Sequence, residues 1–150
     1  MSKILNSMRL EFLSLKENLG LARVAVASFA AQSDFTLGDL EEIKVAVSEA
    51  VTNAIVHGYE NRPVGLIRIT CNLYPDGLEV IVSDEGKGME DAGRALEPDK
   101  APDTDQVGLG FVFMRSFMHE VEVETAPGKG TQVRMLRRLP QPLKACAQRN

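Results

Sequence analysis

The segment from residue 49 to residue 58 constrains the fold most, because polar side chains recur at helical spacing within an otherwise apolar stretch. Glu49, Asn53 and His57 are four residues apart, so in a helix they lie along one face. This polar row is interpreted either as a solvated face or as a face that contacts a ligand. Its neighbours are Ala, Val, Thr and Ile rather than Lys and Glu, which favours the ligand.

The helix that carries this row is predicted to begin at Thr36. Thr36 precedes Asp39 by three residues, which is the spacing of an N-terminal capping box before an apolar run. The apolar residues that follow recur at helical spacing and predict a buried stripe; they are Leu40, Ile43, Val47, Ala50, Val51 and Ala54. The polar row therefore projects away from the core, into solvent or into a cleft.

The composition indicates a single soluble domain. The chain has 150 residues, of which 44% are hydrophobic and 25% charged, and this length suffices for one sizeable core. The net charge of −4 argues against a nucleic-acid partner, and the basic run Arg134–Arg138 is interpreted as a basic edge or a solvent face. No apolar run is long enough to span a membrane. Cys71 and Cys146 are isolated, so neither a zinc site nor a disulfide is predicted, and a cytoplasmic setting is expected.

The order of the elements predicts an α+β fold. The predicted elements are a strand at Met8–Leu13, helices at Glu17–Gln32 and from Thr36, a hairpin of Leu66–Tyr74 and Leu78–Asp84, a helix at Gly108–Phe117, and strands at His119–Thr125 and Thr131–Leu139. Helices segregated from strands indicate a two-layer α/β sandwich, in which a mixed, mostly antiparallel sheet is covered on one face by helices.

Residues 89–107 are rich in Asp, Glu and Pro and lose the apolar periodicity. A segment of this length inside a compact domain is typical of a lid or a linker. Only Asp91–Leu96 is predicted to form a short helix there. The folded domain is predicted to span residues 1–139, and residues 140–150 are predicted to be a disordered tail.

Asp84 ends a predicted strand and is followed by Gly86 and Gly88. A carboxylate in this position can accept a hydrogen bond from the exocyclic amine of adenine, and glycines let a flat ring approach the backbone. Guanine presents a carbonyl there instead, so discrimination between the two bases could be large. By itself, the Asp-x-Gly-x-Gly pattern is weak and more typical of a plain turn.

Two further glycine pairs carry weak signals of their own. Gly108 and Gly110 stand just before a predicted helix, where backbone N–H groups can face phosphate oxygens. Gly128 and Gly130 flank Lys129 in a sequence that is also ordinary for a hairpin turn. The spacing of a Walker-type phosphate loop is absent.

The polar row itself carries groups suited to phosphoryl transfer. Asn53 can offer a neutral amide oxygen to Mg²⁺, which usually takes its other ligands from water and nucleotide phosphates. Glu49 can accept the proton of an attacking hydroxyl near the terminal phosphate. His57 is interpreted as a structural hydrogen-bonding residue or as a proton-transfer group, and an exposed arginine such as Arg23 is usually a solvated charge.

Taken in order, these motifs resemble those of the GHKL ATP-binding superfamily over about residues 8–139, nearly the whole chain. Three stretches are similar in wording to the anti-sigma-F factors of spore-forming bacteria: SEAVTNAIVHGYEN from residue 48, VSDEGKG from residue 82 and GLGF from residue 108. The resemblance implies the Bergerat ATP-binding fold. It also implies a cytoplasmic, homodimeric protein that inhibits the sporulation sigma-F factor and uses ATP to phosphorylate a serine of an anti-anti-sigma factor.

The resemblance also implies a role for each matching residue. Glu49 corresponds to the catalytic base and Asn53 to the Mg²⁺ ligand, while Asp84 corresponds to the adenine-binding aspartate. The residues implied to line the nucleotide, besides Asn53 and Asp84, are His57, Gly86, Gly88, Gly108, Leu109, Gly110 and Thr131, with Thr131 closing the adenine end. Arg23 corresponds to an arginine that contacts the sigma factor and the substrate protein.

The chain departs from the family pattern in the predicted lid. Relatives usually carry an arginine two residues before the Gly-x-Gly, where this sequence has Gln106, and the usual Phe-Thr-Thr stretch is replaced by acidic sequence. With that arginine absent, Lys100 is the cation that remains near the expected position of the γ-phosphate. Two alternatives therefore stay open: a nucleotide-sensing anti-sigma module with weak or no kinase activity, and the related general-stress anti-sigma kinases.

Overall fold

The computed structural model describes residues 3–89 and 106–140. Its strands are β1 (Asn6–Leu13), β2 (Leu66–Tyr74), β3 (Gly77–Asp84), β4 (Glu120–Thr125) and β5 (Thr131–Arg138). Its helices are α1 (Leu19–Ala30), α2 (Leu37–Asn53) and α3 (Gln106–Phe117), with a 3₁₀ turn at Lys16–Asn18 and a π-helical turn at Ala54–Gly58. The predicted lid, with Lys100 and the short helix Asp91–Leu96, and the predicted tail beyond Pro140 lie outside the described residues.

In the described part of the chain, the strands form one sheet in the order β1-β2-β3-β5-β4. Each pair of neighbouring strands is antiparallel, and β2 and β3 form the predicted hairpin. The α+β fold class is thus confirmed, and the sheet predicted to be mostly antiparallel is antiparallel throughout these residues. The connection from β4 to β5 returns the chain to the middle of the sheet, beside β3.

The core lies between one face of the sheet and the helices. Alternate residues of β2 point into it, and Ile67, Ile69 and Cys71 are completely buried. Val47 and Val51 of α2 are equally buried in the same cluster, as expected for the predicted apolar stripe. Burial raises the pKa of the Cys71 thiol to about 12. None of the helices in residues 3–89 and 106–140 is long and apolar enough to cross a membrane.

The predicted capping box begins α2. The Thr36 side chain accepts a hydrogen bond from the Asp39 N–H at 3.0 Å, and the Asp39 carboxylate accepts one from the Thr36 N–H at 2.8 Å. Asp39 also pairs with the Arg137 guanidinium at 2.6 Å, and Arg137 donates to the Phe117 carbonyl at the end of α3. One arginine of β5 therefore ties the start of α2 to the end of α3.

The interpretation of Arg134–Arg138 as a basic edge was wrong, because β5 lies between β3 and β4. Arg134 is on the face of the sheet away from the helices and pairs with Glu79, and with Glu122 at 3.5 Å. Arg137 faces the helices and is mostly buried. Cross-strand carboxylates neutralise these arginines, so the run makes no basic surface stripe.

A π-helical turn follows α2 without a break. The Tyr59 N–H donates to the Ala54 carbonyl at 2.9 Å, five residues back, in place of the α-helical partner four residues back. Single π turns of this kind occur frequently at functional sites. The turn begins just after Asn53 and contains His57, so the predicted row of three polar residues does not continue along one α-helical face.

Candidate functional site

The first turns of α3 pack against the polar residues of α2. A Cβ placed on Gly110 would lie 3.2 Å from Glu49 Oε1 and 3.3 Å from both Nδ2 and Oδ1 of Asn53. The glycine therefore allows the backbone of α3 to approach Glu49 and Asn53 closely. Helix α3 spans Gln106–Phe117 and includes the helix predicted at Gly108–Phe117. The Gly-x-Gly motif therefore lies in its first turns rather than just before it.

The glycines sit inside the helix because close helix packing compensates for their low helix propensity. Gly108 is buried, whereas Leu109 is 55% exposed. The N-terminal N–H groups of a helix have no partners within that helix, so they are available to an anion. Because Gly110 lies against α2, these groups belong to the same neighbourhood as Glu49 and Asn53.

Glu49 and Asn53 are partly buried and polar. Burial raises the pKa of Glu49, which makes its carboxylate a better proton acceptor. The Asn53 Nδ2 atom is buried and has no hydrogen-bond partner among the described residues. Buried amides are nearly always hydrogen-bonded in folded proteins, so this amide indicates a place for a ligand.

His57 carries the second buried polar atom of this kind. Its Nε2 atom is buried without a partner in the described part of the chain. Burial, and then the nearby positive charge of Lys87, hold the pKa of His57 below its ordinary value, which favours the neutral imidazole. Its place one π turn beyond Asn53 separates it from the Glu49–Asn53 pair, and its predicted contact with nucleotide stays a prediction.

Asp84 is the last residue of β3 and is only 9% exposed. Its Oδ1 atom accepts a hydrogen bond from the Gly86 N–H at 2.9 Å. Burial raises the pKa of Asp84, although the N–H groups of Gly86 and Thr131 partly offset that effect. A buried carboxylate with free acceptor capacity is suited to a hydrogen-bond donor of a ligand.

The π-helical turn packs against the loop after Asp84 with no room for side chains. A Cβ on Gly86 would lie 2.2 Å from the Gly58 carbonyl oxygen, which also accepts a hydrogen bond from the Lys87 N–H at 3.0 Å. Gly88 has a φ of +72°, and a Cβ there would lie 2.0 Å from the Ala126 carbonyl oxygen. Backbone packing alone accounts for Gly86 and Gly88, and their contact with nucleotide stays a prediction.

Thr131 lies opposite Asp84 in the pairing of β3 with β5. Its hydroxyl is 2.9 Å from the Thr125 hydroxyl, which donates to the Gly130 carbonyl at 3.0 Å and accepts from the Met89 N–H at 2.9 Å. The structure thus brings Asp84 and Thr131 together, as expected if both lie at one end of a nucleotide. Thr125 was not predicted, because nothing in its strand pattern distinguishes it.

Sequence reasoning also missed Gly58 and Tyr59. A Cβ on Gly58 would lie 2.9 Å from Asp84 Oδ1, and the Tyr59 hydroxyl accepts a hydrogen bond from the Glu85 N–H at 2.7 Å. Gly58 and Tyr59 are the two residues after His57, and a glycine followed by an aromatic residue at the end of the predicted helix was the available signal.

Arg23 lies apart from these groups, on the exposed side of α1. Its Nη1 atom donates to the Ser48 hydroxyl at 3.4 Å, across the α1–α2 boundary. Ser48 precedes Glu49 in the chain, so Arg23 borders the helix that carries the polar row. The described residues contain no group of three or more His, Cys, Asp or Glu side chains that could hold a metal ion.

Comparisons with known proteins identify the domain. A family model described as a histidine kinase-like ATPase domain matches residues 12–137. Among solved structures, the RsbU and RsbW domains of a Mycobacterium tuberculosis protein match with a TM-score of 0.65 at 19% identity, over 91% of this chain and 33% of that one. A histidine kinase domain from the blue-light activated kinase of Erythrobacter litoralis matches with a TM-score of 0.57 at 21% identity, over 91% of this chain and 66% of that one. These similarities show the fold.

Curated relatives are much closer in sequence. The anti-sigma F factor of Clostridium novyi is 43% identical over 136 residues, which is 89% of this chain and 95% of that protein. The anti-sigma F factor of Oceanobacillus iheyensis is 48% identical over 136 residues, or 89% of this chain and 93% of that protein. With a histidine kinase-like ATPase domain over most of its length, this chain belongs to the anti-sigma F factor family.

Proposed function

We propose that this protein is a cytoplasmic, homodimeric anti-sigma factor that holds the sporulation sigma-F factor inactive. We further propose that it is a serine kinase, which uses ATP to phosphorylate and inactivate the anti-anti-sigma factor. Family membership supports the anti-sigma role and a nucleotide-binding domain. The proposal of serine transfer rests on the motifs of the sequence and on the site described above, whereas the protein partners and the homodimer are proposed from the resemblance to the family alone.

The observation that carries the kinase proposal is the contact of Gly110 with both Glu49 and Asn53. It puts the start of α3 beside a partly buried carboxylate and an amide whose Nδ2 atom is buried without a partner among the described residues. Helix N-termini bind phosphate groups through free N–H donors and a favourable dipole. A triphosphate lying there would extend from the Asp84 end of the site towards Glu49.

The residues present fit Mg²⁺ bound together with a nucleotide. Mg²⁺ usually keeps several waters and takes one or two protein oxygens plus phosphate oxygens, so a cage of three carboxylates is not required. The Asn53 amide has no partner that would hold it in one orientation among the described residues, and turning it presents Oδ1 to the ion. Bound Mg²⁺ would supply charge neutralisation at the phosphates.

The chain's own groups then divide the work of the reaction. Asp84 accepts the 6-amino hydrogen bond of adenine, and Thr131 closes that end of the site. Glu49 accepts the hydroxyl proton of the substrate serine while the serine oxygen forms a bond to the γ-phosphorus. The bond between that phosphorus and the β–γ bridging oxygen breaks, ADP leaves, and phosphoserine remains. Lys100 is proposed to contact the γ-phosphate, and Arg23 to contact both protein partners.

The test mixes purified protein with Mg²⁺, γ-labelled ATP and the anti-anti-sigma factor. Label on a serine of the partner is expected for the wild type, and Glu49→Gln is expected to lose transfer by about 10²-fold or more while still binding nucleotide. Glu41→Gln is the matched control, because Glu41 lies on the same helix with a well-exposed side chain and is expected to leave transfer unchanged.

The same mixture separates the alternatives. Label absent from the partner, with ATP and ADP still giving different retention of sigma-F, would contradict kinase activity and support a nucleotide-sensing module. Retention of a general-stress sigma factor in preference to sigma-F would overturn the partner proposal. Undiminished transfer by Glu49→Gln would contradict the role of Glu49 while leaving the kinase assignment intact.

A further inference from the structure

At the open end of the β2–β3 hairpin, a tyrosine hydroxyl links the two strands through two hydrogen bonds. Ile67 pairs with Asp84, so Leu66 and Glu85 would form the next pair of the ladder. The Tyr59 hydroxyl lies between them instead: it accepts from the Glu85 N–H at 2.7 Å and donates to the Leu66 carbonyl at 2.8 Å. Tyr59 thereby extends the ladder by one step and spaces the two strand ends apart.

The tyrosine ring is held tightly enough to determine this spacing. Tyr59 is 6% exposed, and a Cβ on Gly65 would lie 2.2 Å from its Cε1 atom. Its backbone closes the π-helical turn through the bond to the Ala54 carbonyl. Both the ring and the backbone of Tyr59 are therefore fixed, and the hydroxyl has one position available to it.

The consequence falls on Asp84, which directly precedes Glu85. The Asp84 carboxylate packs against Gly58, the residue before Tyr59, and accepts from the Gly86 N–H. The backbone of Asp84 is thus held by its own pairing with Ile67, and the residue after it, Glu85, is held by Tyr59. A carboxylate that reads a single amine must be held to within a fraction of an ångström, by neighbours that are themselves held.

We propose that Tyr59 is a positioning residue for base recognition: its hydroxyl holds the Asp84 loop so that the carboxylate meets the 6-amino group of a purine. This inference rests on the proposed function, because it requires Asp84 to contact the base. Loss of the hydroxyl leaves the Glu85 N–H and the Leu66 carbonyl to pair directly or to take water, and either change moves Asp84 relative to the nucleotide.

The experiment compares binding of ATP with binding of purine riboside triphosphate, which lacks the 6-amino group. Isothermal titration of the wild type is expected to favour ATP. Tyr59→Phe is expected to reduce that preference about tenfold by weakening ATP alone, with binding of purine riboside triphosphate unchanged. Tyr74→Phe is the matched control, since the Tyr74 hydroxyl donates to Glu79 on the other face of the sheet, and it is expected to keep the full preference.

A second measurement keeps the hydroxyl in place. The sequence contains two tyrosines, so 3-fluorotyrosine incorporated into Tyr74→Phe protein labels Tyr59 alone. ATP is expected to move the fluorine resonance further than purine riboside triphosphate does, because only ATP engages the Asp84 loop through the amine. Equal displacements by the two ligands would overturn the inference without any change in folding.

The outcomes distinguish the two levels of the proposal. A wild type without preference for ATP would contradict base reading by Asp84, and with it the proposed function. A wild-type preference that survives intact in Tyr59→Phe would refute the positioning role alone. In an Asp84→Asn background the preference should already be lost, and adding Tyr59→Phe should change it no further; an additional effect there would also count against action through Asp84.

Discussion

The Cα atom of Gly58 lies directly against the Asp84 carboxylate, and a Cβ on Gly58 would be 2.9 Å from Oδ1 and 3.0 Å from Cγ. This contact joins the π-helical turn to the end of β3. A real Cβ essentially never comes so close to another heavy atom, so any side chain at residue 58 must displace the carboxylate or the turn.

Gly58→Ala is therefore expected to destabilise the protein by about 1–3 kcal/mol through overpacking and to weaken ATP binding by moving Asp84. Gly20→Ala is the control: a Cβ on Gly20, in α1, meets nothing within 4 Å. The free energy of unfolding of that variant is expected to rise by about 0.5 kcal/mol from helix propensity, with the affinity for ATP unchanged. Urea denaturation and isothermal titration measure both effects. Unchanged ATP affinity in Gly58→Ala would contradict the expected displacement of a ligand-binding Asp84 carboxylate.

Asp84→Asn is expected to stabilise the unliganded protein while removing the preference for ATP. Burial raises the pKa of Asp84, so the charge opposes folding at neutral pH, and a neutral amide of the same shape removes that penalty. The expected gain is of the order of 1 kcal/mol in the free energy of unfolding at neutral pH. Because the native carboxyl binds a proton more readily than the unfolded one, the difference between variant and wild type should shrink as the pH is lowered. A less stable variant at neutral pH would contradict this account.

The pH dependence of phosphoryl transfer is expected to report on Glu49. The base acts only when ionised, and burial raises the pKa of Glu49 above the ordinary 4.5. The value of kcat/KM should therefore fall, as the pH is lowered, with a midpoint above that of an exposed glutamate. Glu41→Gln should retain this acid limb. An acid limb at or below 4.5 would show that another group accepts the proton.

His57 is expected to make stability depend on pH near neutrality. Its pKa is lowered in the folded state, so the unfolded chain takes up the proton first as the pH falls through about 6.5. The free energy of unfolding should thus decline as the pH is lowered through this value, and His57→Gln should flatten that decline. His119, whose pKa burial also lowers, contributes separately, and His119→Gln should leave the part due to His57. An imidazole resonance of His57 titrating above 6.5 would contradict the prediction.

Local chemistry made much of the fold predictable. The capping box at Thr36 and the β2–β3 hairpin depend on residues close in sequence, and both are present. The insertion of β5 between β3 and β4 depends on pairings across the sheet that the pattern of a single strand does not encode. Arg134 therefore suggested an edge strand, because its partner Glu79 lies 55 residues away in the sequence and could not be recognised as a partner.

The candidate site likewise contains residues that could be predicted from the sequence and others that could not. Glu49 and Asn53 could be predicted because helical spacing alone places them on one face. The change from α to π geometry after Asn53 could not, since it depends on the close fit of Gly58 and Gly86. Asp84 was recognisable at its strand end, whereas Tyr59 reaches it through bonds to backbone atoms that carry no sequence signature.

Most hydrogen bonds within a sheet are beyond the reach of mutagenesis, because every residue except proline supplies the same N–H and C=O groups. The Tyr59 hydroxyl makes the last step of the β2–β3 ladder an exception. Deletion of this single oxygen atom removes the last step of the ladder and leaves every backbone N–H and C=O group in place. Removal of the Tyr59 oxygen can therefore show how strongly the last hydrogen bonds of a sheet order the loop that follows it.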